Sequence, residues 1–410
     1  MTREAWIIEG LRSPRGGGKP GVGSMSHIHP QRILAQVLNA LKDRVGFDPK
    51  DVEDVVMGTG SGVGDHAMDI ARMSVLDAGW PVTTPGVSLH RFCGSGQQAV
   101  TVAAMGILAG HQECVIGGGV ESMSRPASLS VDGFTANNPH LYAQYPLVPQ
   151  GISADLIATL EGFTRKDVDA LGVSSQARAE VAIKEGRFKR SVVPIYNDDG
   201  SLALDRDEYP RPGTTMESLG GLKPAFEKMG AMAPPNDKRT FDQICKAVYP
   251  QIDGVNHVHH AGNSSGVVDG ASAVLLTSPD YAKAHGLKPR ARIVMSATAG
   301  AEPVIMLTAP APAAQICLRK AGMTKKDIDL FEVNEAFASV VLKFKREFGI
   351  DDENLNVNGG AIALGHPIGA TGGMLIQTAL DELERRDKST ALIAMCTGGG
   401  MGTATIIERI

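Results

Sequence analysis

The chain contains the same succession of elements twice, and this duplication constrains the fold more than any other feature of the sequence. Residues 33–46 carry apolar side chains at helical spacing, and a short turn and an apolar strand follow. Residues 313–322 repeat the pattern, and the two turns align so that Asp51 corresponds to Asp327. In both turns a capping Asp or Thr precedes the strand. The repeat predicts two copies of one α/β unit.

A second pair of matching segments follows the first pair in each half. Residues 87–89 form a predicted strand that leads through a Gly-containing turn to a small-residue helix at 95–109 and a strand at 113–119. The C-terminal copy runs from a strand at 355–357 through a glycine-rich turn and a helix to a strand at 391–396. Strand–helix–strand order predicts parallel sheets flanked by helices. The expected fold class is therefore α/β, with a duplicated unit.

The 410 residues are enough for two or three domains, at about 150 residues each. Pro, Tyr and Asn become frequent between the two halves, with helical stretches such as 166–185 among them. Such an insertion usually covers a site, although a peripheral decoration is the alternative. The predicted organisation is an N-terminal half (1–120), an inserted loop domain (121–255), a return to the N-terminal half (256–285) and a C-terminal half (286–410).

Charge and cysteine usage limit the partners and the compartment. Lys and Arg total 40 against 45 Asp and Glu, so the net charge of -5 offers no footprint for nucleic acid or an anionic membrane. Five cysteines without a CxxC pair argue for a reducing compartment. The chain has neither a signal-peptide pattern at its start nor an apolar stretch of about 18 residues. We expect a soluble, cytoplasmic protein.

Glycine is over-represented, with 48 residues in 410 or about 12% against a usual 7% or so, and it surrounds the reactive side chains. Cys93 lies where a strand ends and a helix begins, and a helix N-terminus favours the thiolate. Gly94 and Gly96 would let backbone and substrate approach closely. The alternative for Cys93 is a buried core cysteine.

Three further segments carry candidate chemistry. His366 stands among four glycines between Gly359 and Gly369, and this density of glycines favours a functional over a packing role for the histidine. The next residue, Pro367, is suited to the first position of a helix. An apolar strand leads Cys396 to a glycine loop whose N–H groups can bind an oxyanion, although nucleotide binding is a weak alternative. Asn334 and Glu335 close a predicted strand, where Asn334 can also be a helix N-cap.

Two other segments look functional but are expected not to be. The histidine-rich tract 256–260 has no accompanying Cys or carboxylate cluster, so we predict no metal site there. The sequence GGGKPGVGS at 16–24 lacks both the spacing of a dinucleotide fingerprint and the downstream Lys-Ser/Thr of a phosphate loop. It is predicted to be a flexible loop.

Four segments in the order HRFCGSGQQA, NEAFAS, NVNGGAIALGHPIGATGG and CTGGGMG make the chain resemble the thiolase family, the acyl-CoA C-acyltransferases. The resemblance extends from TREAWIIEGLRSPRG to the C-terminus. It implies a duplicated α/β unit stacked as five α-β-α-β-α layers, with an inserted loop domain over the site. The second cysteine, within C-x-G-G-G, separates the chain from the related condensing enzymes, which are the alternative in the same fold.

The resemblance assigns roles to the candidate residues. Cys93 matches the nucleophile, and His366 matches the residue that activates it and helps bind the thioester oxygen. Cys396 matches the general acid/base that acts on the α-carbon of acetyl-CoA. Asn334 matches the residue that holds a water in the oxyanion site formed with His366. The N–H groups of Cys93 and Gly398 match the second oxyanion hole.

The resemblance also implies the reaction and its ligands. A thiolase cleaves 3-oxoacyl-CoA with CoA into acetyl-CoA and a shortened acyl-CoA, or runs the reverse Claisen condensation, through an acyl-cysteine. Ser265 is expected near the pantetheine, and Arg211 near the nucleotide. CoA is a substrate, and no cofactor or metal is expected. A homodimer or homotetramer that binds CoA thioesters, but neither nucleic acid nor membrane, is implied, as in β-oxidation and other fatty acid metabolism.

The chain departs from the family pattern in places that concern the acyl-chain preference. His90 replaces the usual Asn, Gln97-Gln98 replaces a small or apolar pair, and Gln150-Gly151 replaces Met-Gly. The chain has about thirty additional residues, 227–255, between the sequences PAF and AGN, which follow each other directly in many family members. A non-catalytic thiolase-like subunit is the alternative from another functional class. It would be expected to lose reactive residues, yet Cys93, His366, Cys396 and Asn334 are all present.

Overall fold

The computed structural model describes residues 3–125, 138–235 and 237–410. Within these ranges the strands are β1 (Trp6–Arg12), β2 (Gly16–Gly17), β3 (Asp54–Gly58), β4 (Val87–Leu89), β5 (Cys114–Ser122), β6 (Ile195–Tyr196), β7 (Leu202–Leu204), β8 (Val268–Thr277), β9 (Ala291–Gly300), β10 (Leu330–Val333), β11 (Thr390–Thr397) and β12 (Met401–Arg409).

The helices of the described ranges are α1 (Pro30–Val45), α2 (Ile70–Asp77), α3 (Ser95–Ala109), α4 (Pro139–Gln144), α5 (Gln150–Glu161), α6 (Arg165–Lys184), α7 (Met216–Gly220), α8 (Glu227–Gly230), α9 (Phe241–Val248), α10 (Pro279–Ala284), α11 (Pro310–Ala321), α12 (Ala338–Phe348), α13 (Ala361–Leu364) and α14 (Thr371–Arg386). Matching 3-10 turns, Pro49–Asp51 and Lys325–Asp327, follow α1 and α11, as the repeat predicts. None of the described helices is long and apolar enough to cross a membrane.

The two halves share one strand order. The N-terminal half is ordered β4-β3-β5-β8-β1 and the C-terminal half β10-β11-β12-β9. They meet where β1 pairs with β9 over Trp6–Arg292 and Ile7–Ala291. The prediction of parallel sheets holds only for β3 with β4 and β5, and for β10 with β11. The other strands are antiparallel, in the C-terminal half because a tight glycine turn returns β12 directly along β11.

The helices form three layers around these strands, which confirms the duplicated α/β fold. Helices α3 and α14 lie in the middle, where their apolar faces pack between β5 and β8 on one side and β11 and β12 on the other. Helices α1 and α2 cover the outer face of the N-terminal strands. Helices α11 and α12 cover the outer face of the C-terminal strands. The layers therefore run α-β-α-β-α.

Close contact in the middle layer explains several of the glycines. A Cβ on Gly96, in the first turn of α3, would lie 2.5 Å from the carbonyl oxygen of Gly369. A Cβ on Gly372, in the first turn of α14, would lie 2.0 Å from the backbone nitrogen of Gln97. No side chain fits at such distances. The two helix N-termini therefore approach each other backbone to backbone.

The predicted strand at 355–357 is wrong and reduces to a single bridge between Leu355 and Phe331. Asn356 adopts a left-handed backbone conformation with φ of 47°. Its side chain takes the place of a strand ladder, because Oδ1 accepts from the Val333 N–H at 2.8 Å and Nδ2 donates to the Val333 carbonyl at 2.9 Å. Asn tolerates this conformation better than most residues.

The insertion places α5 against the C-terminal half. Val148 and Ile152 pack in one apolar cluster with Phe337 and Cys396. The Ser153 hydroxyl donates to the Val304 carbonyl at 2.8 Å. The start of α5 is therefore packed beside the end of β11.

The histidine-rich tract ties the insertion to the segment before β8. The Asp155 carboxylate accepts hydrogen bonds from His257 Nδ1 and His259 Nδ1, both at 2.7 Å, and from two backbone N–H groups. His257 Nε2 also lies 3.1 Å from Asp242. His260 Nε2 contacts Asp169 at 2.8 Å. The tract is thus engaged with carboxylates, and no group of three ligands placed to hold a metal occurs in the described ranges.

Asp155→Asn is expected to lower the free energy of unfolding by about 3 kcal/mol, because it leaves a buried cation short of its partner. The Asp155 and Asp242 carboxylates overcome burial and raise the pKa of His257 to about 9. This folded-state pKa lies above the unfolded value of about 6.5, so protonated His257 contributes its full stability to the fold below pH 6.5. That stability is lost as the pH rises through 9. Conversely, the histidines overcome burial and lower the pKa of Asp155, so its contribution is lost in acid.

The difference between wild type and Asp155→Asn should therefore be largest from about pH 4 to 6.5. Urea titrations at pH 5.5 and 9.5 measure it, and Asp253→Asn, an exposed residue of the same insertion, is the matched control. A difference that does not narrow at the higher pH would contradict the ion-pair account.

Candidate active site

Cys93 is held in a tight turn between β4 and α3. The preceding residue, Phe92, has a φ of 46°, and α3 begins two residues after Cys93 at Ser95. The Ser95 hydroxyl accepts from the Arg91 N–H at 2.8 Å and lies 2.6 Å from the Phe92 carbonyl oxygen. The turn before the helix is thereby closed. It presents the Cys93 thiol, which is 5% exposed, at the helix N-terminus as the sequence predicts.

Three donors surround the Cys93 sulfur: the N–H of Gly398, its own N–H and the side chain of Gln150. Burial nevertheless raises the pKa of the thiol to about 12, and the nearby charge of Glu121 adds to the rise. Desolvation therefore outweighs the donors and the helix N-terminus, both of which favour the thiolate. The same donors become stronger once negative charge appears on the sulfur.

Cys396 is the penultimate residue of β11 and lies close enough to Cys93 for the two side chains to interact electrostatically. Burial raises the pKa of the Cys396 thiol well above its ordinary value, and negative charge on Cys93, when present, raises this pKa further. The chain then turns through Gly399 and Gly400, with φ of 74° and 79°, into β12. This turn directs the Gly398 N–H toward Cys93. Two neutral thiols thus share one buried space beside a backbone donor.

His366 lies in a buried loop, and its hydrogen bonds fix the tautomer. The Thr371 hydroxyl donates to the Pro367 carbonyl at 3.1 Å and therefore accepts from His366 Nδ1 at 2.6 Å. The proton is then on Nδ1, and Nε2 carries the lone pair. Burial lowers the pKa of His366 to about 3, and the charge of Arg15 contributes. Helix α14 begins only at Thr371, so Pro367 is not its first residue, contrary to expectation.

Asn334 directs its amide at His366. Its Nδ2 donates to His366 Nε2 at 3.3 Å, which agrees with the tautomer above. Its Oδ1 is buried and has no hydrogen-bond partner among the described residues, so it can accept from a water or a ligand. Asn334 is not a helix N-cap, because Phe337 caps α12. The adjacent Glu335 faces away from the imidazole and accepts from Ser175 at 2.6 Å.

Glu121 links residues 60 and 61 to the loop that carries His366 by hydrogen bonds. No sequence pattern indicated this role. Its buried carboxylate accepts from Gly60 N–H at 2.6 Å, from the Ser61 hydroxyl at 2.9 Å and from Gly369 N–H at 3.0 Å. Burial raises its pKa to about 7 against these donors. His90 Nε2 contacts the Gly60 carbonyl at 2.7 Å, so the turn before Cys93 joins the same network.

A cleft of about 680 Å³ opens beside this group and contains the two residues predicted to contact CoA, Ser265 and Arg211. The Ser265 N–H donates to the Ala336 carbonyl at 2.9 Å, two residues beyond Asn334. The His366 N–H donates to the Gly266 carbonyl, also at 2.9 Å. The wall of the cleft is therefore bonded directly to both loops of the site.

Thr371→Val is expected to lower kcat about ten- to a hundredfold. It leaves the buried His366 Nδ1–H without an acceptor, which costs about 1–3 kcal/mol and releases the ring from its tautomer. Thr371→Ser keeps the hydroxyl and should restore most of the rate. Thiolysis rates of the two variants across the pH range measure the effect. Equal rates for Val and Ser would show that the hydroxyl does not position the ring.

The thiolase N-terminal domain model matches residues 5–243 and the thiolase C-terminal domain model matches residues 287–409. An acetyl-CoA acetyltransferase of Thiocystis violacea is 37% identical over 95% of both chains. A beta-ketoadipyl-CoA thiolase of Pseudomonas aeruginosa is also 37% identical, over the full length of both.

A solved structure agrees with these matches. The acetyl-CoA acetyltransferase of Bacillus anthracis superposes with a TM-score of 0.83 at 33% identity, covering 100% of this chain and 99% of that one. Its likeness extends over both halves and the insertion. The chain belongs to the thiolase family.

Proposed function

We propose that Cys93, His366, Asn334 and Cys396 carry out the thiolysis of 3-oxoacyl-CoA in this chain. As a thiolase the protein is an acyltransferase of the EC 2.3.1 class, which uses CoA to release acetyl-CoA and a shortened acyl-CoA. One observation carries the assignment of residues. Two buried thiols, Cys93 and Cys396, are close enough to interact electrostatically, and Cys93 receives the Gly398 N–H and stands at a helix N-terminus.

In the first half-reaction, the Cys93 thiol loses its proton to His366 Nε2, the one basic position of that ring. The sulfur then attacks the 3-oxo carbon, a ketone carbonyl that a thiolate attacks readily. Cleavage of the C2–C3 bond leaves the acyl group on sulfur and the electron pair on the acetyl-CoA enolate. Cys396 donates the proton that converts this enolate to acetyl-CoA.

In the second half-reaction, the Cys396 thiolate takes the proton of incoming CoA, whose sulfur attacks the acyl-cysteine. The shortened acyl-CoA leaves, and the Cys93 sulfur recovers a proton from His366. N–H groups of Cys93 and Gly398 stabilise one oxyanion, and His366 with a water on Asn334 Oδ1 stabilises the other. Each step conserves protons within the chain and its two CoA substrates. We propose no metal or cofactor besides CoA.

The CoA substrate is proposed to occupy the cleft, with pantetheine at Ser265 and the nucleotide near Arg211. The guanidinium of Arg211 lies 5.1 Å from the ring centre of Tyr209, and its Nη1 donates to the Tyr209 carbonyl at 2.6 Å. These two contacts hold the Arg211 guanidinium at the cleft, where the phosphates of CoA would bind. The proposal includes the division of the chain into four parts, with boundaries after residues 120, 255 and 285. In this division the inserted loop domain covers the acyl pocket.

A homodimer is proposed from an apolar surface on the N-terminal half. Val102, Met105 and Leu108 follow one face of α3 and are 37%, 58% and 40% exposed. Strand β4 lies at the edge of the sheet, and its Val87 is 42% exposed. Apolar faces and open strand edges are usually covered. The five cysteines, all free thiols, support a reducing and hence cytoplasmic location.

Thiolysis assays test the proposal. Purified protein is mixed with CoA and 3-oxoacyl-CoA substrates of increasing chain length, beginning with acetoacetyl-CoA, and acetyl-CoA formation is followed. We expect CoA-dependent turnover with at least one chain length. Absence of acetyl-CoA formation across the whole series would contradict the proposed function, and light scattering of the same sample gives the oligomeric state.

A further inference from the structure

The loop of residues 16–24 is a fixed part of the structure, which overturns the expectation of a flexible loop. Gly17 N–H donates to the Glu208 carboxylate at 2.6 Å, and the Ser24 hydroxyl donates to the other oxygen of the same carboxylate. Gly18 N–H donates to the Val267 carbonyl at 2.9 Å. These bonds fasten the loop at both ends and to the segment before β8.

Two glycines of the loop are required by close contact. A Cβ on Gly23 would lie 1.6 Å from the carbonyl oxygen of Gly17. A Cβ on Gly18 would lie 2.7 Å from the backbone of Val267. The loop therefore folds back on itself and against the chain that precedes β8. Its glycine content serves this compact turn and not the spacing of a nucleotide fingerprint.

The folded loop forms part of the wall of the cleft. Gly17, Gly18, Lys19 and Gly23 line it together with Arg211. The Lys19 side chain is exposed, and no ion-pair partner for it occurs in the described part of the chain. The carboxylate of Glu208 also borders the cleft. The two cations Lys19 and Arg211 outnumber this one carboxylate, so the lining of the cleft has an excess of positive charge.

A second observation is a polar group on the cleft wall that lacks a hydrogen-bond partner among the described residues. Ser264 lines it, is only 8% exposed, and its hydroxyl has no hydrogen-bond partner among the described residues. A buried hydroxyl without a partner is costly unless something else completes it. Ser264 directly precedes Ser265, the residue expected near the pantetheine. The cleft therefore combines a cationic wall with an unsatisfied polar atom.

We propose that the 16–24 loop is a phosphate-binding wall of the CoA site and that Lys19 contacts a phosphate group of the CoA nucleotide. This inference rests on the proposed function for the identity of the ligand. Lysine binds phosphate as a compact, flexible point charge, so an exposed position on a rigid loop suits it. The loop fixes the backbone of Lys19, while Arg211 supplies a second cation in the same cleft.

Titration calorimetry of the full chain with CoA, dephospho-CoA and pantetheine tests the proposal. Lys19→Met keeps the aliphatic stem and removes the charge, and Lys326→Met, an exposed lysine in the C-terminal half, is the matched control. We expect Lys19→Met to weaken CoA binding about fivefold at low ionic strength, with a smaller effect at high salt. Pantetheine, which has no phosphate, should bind both variants and wild type equally.

Dephospho-CoA identifies the phosphate. If Lys19→Met weakens CoA and dephospho-CoA alike, Lys19 contacts the diphosphate; if only CoA is affected, it contacts the 3′-phosphate. Unchanged CoA binding, or an equal loss for pantetheine, would overturn the inference. Wild-type protein that bound no CoA would instead contradict the proposed function, so the two failures are distinguishable.

Discussion

Cys93→Ala is expected to lower kcat for thiolysis by at least about 10⁴-fold, because the reaction loses its nucleophile and no other group can carry the acyl chain. The other thiol proposed to act in the site, Cys396, lies within strand β11 and lacks the helix N-terminus that Cys93 occupies. CoA binding should persist, since the cleft is unaltered. Steady-state kinetics and calorimetry on the same preparation measure both effects.

Cys317→Ala is the control for Cys93→Ala. Cys317 is also a buried free thiol, but it lies in α11 and contacts the Met295 carbonyl at 3.4 Å, outside the site. Its replacement should leave kcat within about twofold while causing a comparable loss of stability. If Cys93→Ala retained more than a hundredth of the wild-type kcat, the nucleophile would have to be sought elsewhere.

Cys396→Ala is expected to lower kcat about 10²- to 10⁴-fold by removing the proton donor of the enolate. Its more specific effect is on α-proton exchange. Wild-type protein in deuterated water should exchange the α-protons of acetyl-CoA, and Cys396→Ala should suppress this exchange. The acylation of Cys93 should continue in part, because its proton goes to His366 in the account above. NMR of acetyl-CoA and mass analysis of the protein measure the two separately.

Measuring α-proton exchange of acetyl-CoA separately from acylation of Cys93 distinguishes the roles of the two cysteines. Alanine at 396 also removes a thiol packed against Phe337 and Ile152, so the folded state is checked by thermal melting. Unaffected α-proton exchange in a folded Cys396→Ala variant would remove the role assigned to this residue. Loss of acylation as complete as in Cys93→Ala would show that Cys396 is needed to activate the nucleophile.

The duplication of the α/β unit could be predicted because local sequence patterns indicate it. Helix periodicity, a capped turn and an apolar strand recur in both halves, and each structural element follows from a few neighbouring residues. The reactive residues share this property. Cys93 and Asn334 follow the end of a strand, Cys396 is the penultimate residue of one, and glycine density singled out His366. Position at a strand end is visible in the sequence before any contact is known.

The remaining features depend on contacts between distant segments. Glu121 receives a hydrogen bond from Gly369, which is 248 residues away, so no local pattern indicates its role. The approach of Gln150 to Cys93 depends on how the insertion folds over the C-terminal half. The pKa of Cys93 likewise depends on distant segments: the helix N-terminus that favours the thiolate is a local feature, whereas the burial that opposes the thiolate comes from the whole structure.

The 16–24 loop and Asn356 show a further limit. The glycines of the loop suggested mobility, because a sequence does not show that Gly23 touches Gly17. Asn356 stood in an apolar context typical of a strand, but its side chain bonded to the neighbouring β10 and replaced the backbone ladder. In both segments a tertiary contact overrode the local preference.

The most direct test of the central claim is an intact-mass measurement of the protein mixed with 3-oxoacyl-CoA in the absence of free CoA, with the adduct located by peptide mapping. The account predicts one acyl group, carried by Cys93, with either acetoacetyl-CoA or a longer substrate, and its removal when CoA is added. An unmodified Cys93 with every chain length, or an acyl group on another residue, would contradict it.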